Sequence, residues 1–314
     1  LKRVPVRFDL DFGLQRLPLQ EGVIAVRGAR QYGKSTWLEL QVLATVKEFG
    51  PGTAYYLNGD FIIDADALDQ AIRDLVPLFR RDAPVRRLFI DEITAVKEWQ
   101  RALKRLVDGA VLRDVLVVTT GSKAADLRQG IERLPGRKGR LDRTAYLFTP
   151  VPFAEFRRKC GDVLGEDALD AYLLTGGSPI ACAHIAEGRL PEYAVESVKD
   201  WVYGAAAAAG RGRSSLLAVM ECLVRHGGSP LGQAKLAREA GLANNTVAAG
   251  YIELLMDLTC VASSLAWDAS RRVRLRRKPC KIHFCNTLAA LAWHPGMVRT
   301  VADFRGLPPE ARGI

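Results

Sequence analysis

The sequence predicts an α/β protein: a parallel sheet with helices on both faces, then a helical segment, then three helices and a two-stranded ribbon. Three observations predict it. Over the first 150 residues short apolar runs alternate with stretches of helical periodicity, the pattern of a parallel sheet covered on both faces. From 151 to 209 strand signals stop and helical periodicity remains. Beyond Gly210-Arg211-Gly212-Arg213, a plausible linker, come three helical stretches and two β-rich runs, the element order of a winged helix.

The elements follow in order. Residues 23–26 form a short apolar strand that runs into a glycine-bearing loop. Residues 35–48 are helical by the spacing of Leu38, Val42 and Val46, and Gly50-Pro51-Gly52 stops them. Residues 53–57 are β-branched and aromatic, a second strand. A helix at 64–80 sets Leu68, Ile72 and Leu75 on one face. The third strand is 87–91, the next helix 99–108, the fourth strand 115–120, and a fifth lies near 146–148. Helices are expected at 154–158, 167–174, 179–186 and 191–203, then at 216–226, 233–240 and 245–256. Strands are expected at 260–267 and 273–284. The expected division is a sheet core at 1–150, a helical lid at 151–209, a winged helix at 210–292 and a C-terminal tail at 293–314.

Composition narrows the function classes. The 314 residues are 48% hydrophobic and 25% charged, which excludes wholesale disorder and leaves enough chain for a buried core. No run approaches the ~18 apolar residues of a membrane span, so no membrane partner is expected. The start, Leu1-Lys2-Arg3-Val4-Pro5, lacks the apolar stretch of a signal peptide, and it lacks Met, as in a chain read from inside a longer one. Six cysteines are too few for a disulfide scaffold, so a reducing, cytoplasmic setting is expected. Cys280, His283 and Cys285 lie close in sequence, but two Cys and one His without a second cluster make a poor tetrahedral zinc site.

Charge is uneven. The net charge is +10, and from Gly210 onward there are 15 Lys/Arg against 7 Asp/Glu. A nearly neutral N-terminal two-thirds thus joins a basic C-terminal third, an asymmetry that points to a polyanion.

Gly28-Ala29-Arg30-Gln31-Tyr32-Gly33-Lys34-Ser35 fits G-x4-G-K-[ST], after a strand and at the start of a helix. The glycines let backbone N–H groups turn around phosphate oxygens, and the helix N-terminus adds partial positive charge. Lys34 reaches the β- and γ-phosphates, and the Ser35 hydroxyl ligates Mg²⁺. Leu88-Phe89-Ile90-Asp91-Glu92 is the expected companion, with Asp91 holding the Mg²⁺ shell and Glu92 placed to deprotonate the attacking water. Together the two motifs predict binding and hydrolysis of ATP with Mg²⁺. Thr120 and Ser122 end the fourth strand, as γ-phosphate sensors or as a strand cap. Pro135-Gly136-Arg137-Lys138-Gly139-Arg140 is a basic loop from which Arg137 or Arg140 acts in trans as an arginine finger, or is merely solvated.

These residues resemble a family. Gly28 through Ser35 with Thr36, Phe89-Ile90-Asp91-Glu92-Ile93, Thr120-Gly121-Ser122, Leu134-Pro135-Gly136-Arg137 and Pro152-Phe153-Ala154-Glu155-Phe156 resemble the prokaryotic AAA-type ATPases that carry a DUF4143-like C-terminal region. Thr175-Gly176-Gly177-Ser178-Pro179 resembles that family's helical-lid motif and is similar to the Gly-x-Pro motif of STAND ATPases, which implies that Pro179 lies near the adenine. Lys235-Leu236-Ala237 and Thr246-Val247 through Lys281 resemble its winged helix. The likeness spans roughly residues 20–290 and implies an AAA-like P-loop sheet, a lid and a winged helix, with oligomerisation completing the site. Two departures stand out. No Asp…Glu-x-Lys set follows residue 260, so the nuclease domain often appended in the family is not expected, and Asn286 stands where the family often has Asp.

Arg271-Arg272-Val273-Arg274-Leu275-Arg276-Arg277-Lys278 holds six cations in eight residues. Read as one strand, Val273 and Leu275 face inward while Arg272, Arg274 and Arg276 share the other face, a rail for the phosphates of duplex DNA. An acidic protein surface is the alternative partner. Asn244 is expected to cap the preceding helix. Three readings follow: an ATP-hydrolysing switch whose winged helix contacts DNA, a STAND-like signalling ATPase whose winged helix packs on protein, and a DNA-bound transposition or helicase-loading regulator.

Overall fold

The structure is a computed structural model that describes residues 6–121, 126–127, 130, 139, 141–275 and 278–308. It divides into two compact units, one of residues 11–149 and one of residues 150 onward with the segment before Asp11.

The first unit is a five-stranded parallel sheet. Its strands are β1 (Gly22–Arg27), β2 (Ala54–Asn58), β3 (Arg87–Asp91), β4 (Leu116–Gly121) and β5 (Ala145–Leu147), in the order β2-β3-β4-β1-β5. Its helices among the described residues include α1 (Lys34–Phe49), α2 (Ala65–Leu75) and α3 (Trp99–Asp108). Val23, Ala25, Leu88, Ile90 and Val117 share one apolar cluster with Leu68, Ile72, Leu103 and Leu106 of α2 and α3. The alternate strand residues Ile24, Val26, Phe89 and Val118 point the other way and are also fully buried, so both faces are covered. Register sets the β2 and β3 ends level, Asn58 opposite Asp91.

Local chemistry explains the boundaries. The Asp64 carboxylate accepts from the N–H groups of Asp66 and Ala67, which caps α2. This helix stops at Leu75, short of the expected residue 80, because Pro77 has no N–H to donate and its ring crowds the preceding turn. A short 3-10 turn, Val76–Leu78, follows. Arg87, at the start of β3, is enclosed. Its Nη2 donates to the Leu17 and Pro18 carbonyls at 3.1 and 3.3 Å, and its Nη1 to Thr45 Oγ1 at 3.0 Å, with the guanidinium over the Phe49 ring. Phe12 packs on Trp37 and Phe148, so the chain from Asp11 to β1 belongs to this unit's core.

The second unit begins with four helices, α4 (Phe153–Leu164), α5 (Ala168–Thr175), α6 (Pro179–Ile185) and α7 (Glu192–Ala208). Next come α8 (Arg213–Arg225), β6 (Pro230–Leu231), α9 (Gln233–Glu239) and α10 (Asn245–Asp257). As expected, Asn244 caps α10, accepting from Val247 N at 2.9 Å. The β-rich stretch differs from expectation. Residues 260–267 are not one strand but β7 (Val261–Ser264) and β8 (Trp267–Asp268). Residues 273–284 are likewise β9 (Val273–Arg274) and β10 (Cys280–Phe284). β10 sits between β6 and β7 in an antiparallel sheet, while β8 and β9 pair as a separate hairpin. Two helices follow, α11 (Thr287–Ala292) and α12 (Val301–Gly306), the second inside the stretch expected as a tail. Phe304 of α12 is buried, and Arg305 pairs with Asp167 and Asp170.

Candidate nucleotide site

The loop between β1 and α1 is shaped by two backbone demands. Gly28 lies so close to the chain after β5 that a Cβ there would sit 2.7 Å from the Phe148 carbonyl oxygen. Gly33, at φ 96°, turns the chain into α1 through the left-handed region that a side chain disfavours. Gln31 shares that region at φ 62°. Within this loop Tyr32 and Lys34 are buried, Gly33 and Ser35 half-buried, and Arg30, Gln31 and Thr36 exposed. The Lys34 ammonium donates to the Gly28 and Ala29 carbonyls at 3.0 and 2.8 Å, folding the side chain back over the loop. Burial lowers its pKa from the ordinary lysine range, opposed by the Glu92 and Asp91 carboxylates. A buried cation held on neutral carbonyls favours an anion arriving beside it.

Asp91 ends the fully buried β3 and is itself 4% exposed. Its carboxylate is held from three sides. Thr120 donates its hydroxyl to Asp91 Oδ1, the Glu92 N–H reaches the same oxygen at 3.1 Å, and the Tyr56 hydroxyl donates to Oδ2 at 3.1 Å. The Glu92 N–H also points at Thr120 Oγ1, 3.2 Å away. These bonds support a turn in which Glu92 adopts φ 46° and ψ 42°, uncommon for a residue with a Cβ. Thr120, a sensor candidate on sequence, has its hydroxyl committed to Asp91 and the Glu92 backbone.

Sequence reasoning missed Tyr56. It pairs with Phe89 in register and is therefore the diagonal neighbour of Asp91, within reach of an aromatic side chain. The signal was a pair of tyrosines in a five-residue strand with Ala54, Leu57 and Asn58, but using it requires knowing that β2 and β3 are adjacent. Burial and the Asp91 charge raise the Tyr56 hydroxyl above its ordinary pKa, so it remains a donor.

The residues fit a nucleoside triphosphate with Mg²⁺. Two carboxylates act electrostatically on a buried ammonium, and Ser35 and Asp91 offer the hard oxygen ligands that Mg²⁺ takes. Ser122, Arg137 and Arg140 lie outside the described residues.

The remaining candidates are in the second unit. Pro179 opens α6, where its missing N–H costs nothing. Arg271, Arg272, Arg274 and Lys278 are exposed, while Arg276 and Arg277 lie outside the described residues. The period-two rail is corrected here. β9 is two residues long, Arg272 precedes it in a turn at φ 53°, and Val273 is 46% exposed rather than inward. Strand alternation therefore does not align Arg272 with Arg274. Asp268 closes this turn, accepting from Ser270 and Arg271 N–H groups at 3.0 Å each. Cys280, His283 and Cys285 do not gather, because alternation along β10 sends residues 280 and 283 to opposite faces.

No described helix is long and apolar enough to cross a membrane. A family model for an AAA domain matches residues 20–157. No curated protein matches the chain. Among solved structures, the chain is similar to the Walker-type ATPase PABY2304 of Pyrococcus abyssi, at 11% identity and a TM-score of 0.57, over 87% of this chain and 91% of that one. It also aligns with a RuvB variant of Thermotoga maritima (14% identity, 77% and 82% covered, TM-score 0.41). A third alignment is with the ORC1 protein of Aeropyrum pernix in complex with DNA (15%, 87% and 86%, TM-score 0.41). Residues 20–157 thus match an AAA domain in sequence, and the α/β fold of the chain is similar to that of a Walker-type ATPase.

Proposed function

We propose that the first unit binds and hydrolyses Mg-ATP, and that residues 210–292 form a winged helix that contacts duplex DNA. The observation that carries the first part is Lys34, buried in the loop that opens α1 and under the charge of Asp91 and Glu92 at the end of β3. In this reading backbone N–H groups of residues 28–35 and the Lys34 ammonium hold the phosphates. Ser35 and Asp91 hold Mg²⁺, which when bound neutralises charge on the β- and γ-phosphate oxygens. Tyr56 and Thr120 fix the Asp91 carboxylate. The left-handed turn at Glu92 presents its carboxylate to a water, from which it takes the proton. Pro179 contacts the adenine, and an arginine from the 135–140 loop of a neighbouring copy completes the site.

The second part is supported by the order of α8, α9, α10 and an antiparallel sheet, and by the exposed cations at Arg271, Arg272, Arg274 and Lys278. Phosphates recognised from a turn and a short hairpin fit contacts that position without reading sequence. A second reading, a STAND-like signalling ATPase whose winged helix packs on protein, is favoured by Trp267 at 57% and Val273 at 46% exposure on the same hairpin. An ATPase assay with and without duplex DNA tests both parts. Turnover without DNA stimulation or DNA binding leaves the ATPase and selects the second reading. Absence of Mg-ATP binding overturns the first part.

A further inference from the structure

Three metal-ligand atoms converge in the second unit, far in sequence from the loop and β3. Cys222 on α8 and His226 just after it stand one helical turn apart, and Glu239 is the last residue of α9. One carboxylate oxygen meets both. His226 Nε2 lies 2.6 Å from Glu239 Oε2, and the Cys222 thiol donates to that oxygen at 3.6 Å. All three ligand atoms fall within 4.8 Å of one another. Cys222 is buried, while the His226 and Glu239 side chains keep 20% and 23% of their exposure. The cluster therefore has a closed thiol side and an open mouth.

We propose that Cys222, His226 and Glu239 bind a borderline-soft divalent cation, Zn²⁺ first, with water as the fourth ligand, and that the ion crosslinks α8 to α9.

Thiolate, imidazole and carboxylate are the donors zinc takes, at ~2.3 Å for sulfur and ~2.0–2.2 Å for nitrogen and oxygen. A tetrahedron of such bonds sets sulfur and oxygen roughly 3.6 Å apart, close to their spacing here. The imidazole–carboxylate contact has to open by under about 1 Å on the same geometry, and rotation of the Glu239 side chain, 23% exposed, supplies that. In the metal-free arrangement the thiol proton and the proton between His226 and Glu239 both point at Glu239 Oε2. A divalent ion takes their place: the thiol proton goes to solvent, and the proton on His226 Nε2 moves to Nδ1 when the imidazole is neutral or also goes to solvent when it is charged. Thiol and imidazolium must give up their protons to bind the ion, so metal binding should strengthen as pH rises. Arg225 and Lys235 compete for the carboxylate, at 4.0 Å from Oε2 and 3.7 Å from Oε1. Both side chains are well exposed and free to swing into water as the ion arrives.

The test uses the full chain stripped by a chelator. Titration with Co²⁺ reports a cysteine ligand through the thiolate charge-transfer band in the near ultraviolet, and calorimetry with Zn²⁺ at two pH values reports affinity. The expected result is one equivalent bound, more tightly at the higher pH. The near-ultraviolet band should disappear in Cys222→Ser, need much more Co²⁺ to develop in His226→Gln, and persist in Cys280→Ser and Cys285→Ser. Zn²⁺ should raise the Tm of wild type and leave that of Glu239→Gln unchanged. His226→Gln lies on the open side of the cluster and serves where Cys222→Ser fails to fold. A band that survives Cys222→Ser, a Co²⁺ affinity unchanged in His226→Gln, or a band that follows Cys280 or Cys285 overturns the site. So does the absence of any band from wild type with its circular dichroism intact.

Discussion

The two units hold their charged groups in opposite ways. In the first, Asp91 is enclosed at the end of a strand buried on both faces, and three donors fix its carboxylate. In the second, Arg271, Arg272 and Arg274 stand exposed in a turn and a two-residue strand. Chemistry on a phosphate needs a carboxylate placed to a fraction of an ångström, which only a rigid sheet end supplies. Attraction to a polyanion needs charge density and tolerates loose side chains. Substitutions at the first kind of site should therefore produce large changes in rate or affinity, and at the second kind graded, salt-dependent ones.

The largest effect is expected at Glu92. Glu92→Gln keeps size and hydrogen bonding but removes the base, so turnover should fall by ~10²–10⁴-fold while Mg-ATP affinity is kept. Phosphate release at the wild-type rate would remove Glu92 from the mechanism. Next come the loop arginines. Arg137→Ala or Arg140→Ala should bind ATP normally and lose rate by up to ~10³-fold. Mixing either with Lys34→Ala protein should restore part of the rate, since each supplies what the other lacks. No recovery, with subunit exchange confirmed, makes those arginines surface charge.

Lys34→Ala comes third. It deletes charged hydrogen bonds worth up to ~3 kcal/mol, so Mg-ATP affinity measured by calorimetry should drop roughly 10²-fold. An unchanged Kd would make the loop ornamental. For the ribbon, replacing Arg271, Arg272 and Arg274 with Ala should flatten the slope of log K against log salt by up to ~3 units, similarly on all duplexes. Wild-type protein that binds no duplex at low salt would break the comparison in favour of a protein-packing role. The smallest effect is at Tyr56. Tyr56→Phe frees one side of the Asp91 carboxylate, a single charged hydrogen bond, so the Mg²⁺ enhancement of ATP binding should fall by about tenfold or less. Full enhancement in the variant would show that two donors are enough to hold Asp91.

Most of the first unit was legible because its strands are short apolar runs between helices of regular period. The expected ranges meet β1 through β5 within a residue or two. Lys34, Ser35, Asp91 and Glu92 were readable because their spacing follows from the geometry of a strand, a turn and a helix N-terminus. Tyr56 was not, since its role depends on which strands are neighbours, and strand order is a long-range property. The ribbon misled for a different reason. Alternation of Arg with Val273 and Leu275 looks like a strand, but Asp268 caps a turn at Ser270 and Arg271, and local hydrogen bonds to that carboxylate outcompete strand pairing there. Likewise Cys280, His283 and Cys285 are close along the chain and parted by the pleat, while Cys222, His226 and Glu239 meet through the packing of two helices.

The enclosure of Arg87 bears on where this protein can be cut. Sequence likeness begins at residue 20, yet two of the three oxygens that receive the Arg87 guanidinium belong to Leu17 and Pro18, and Phe12 completes the aromatic packing around Trp37 and Phe148. A fragment of residues 20–157 would leave a cation in the wall of the sheet with one acceptor, and an apolar hole beside it. A fragment starting at Asp11 keeps both and should melt at a clearly higher temperature. The edge of a recognisable domain and the edge of a self-supporting one are set by different forces, and here they lie about nine residues apart.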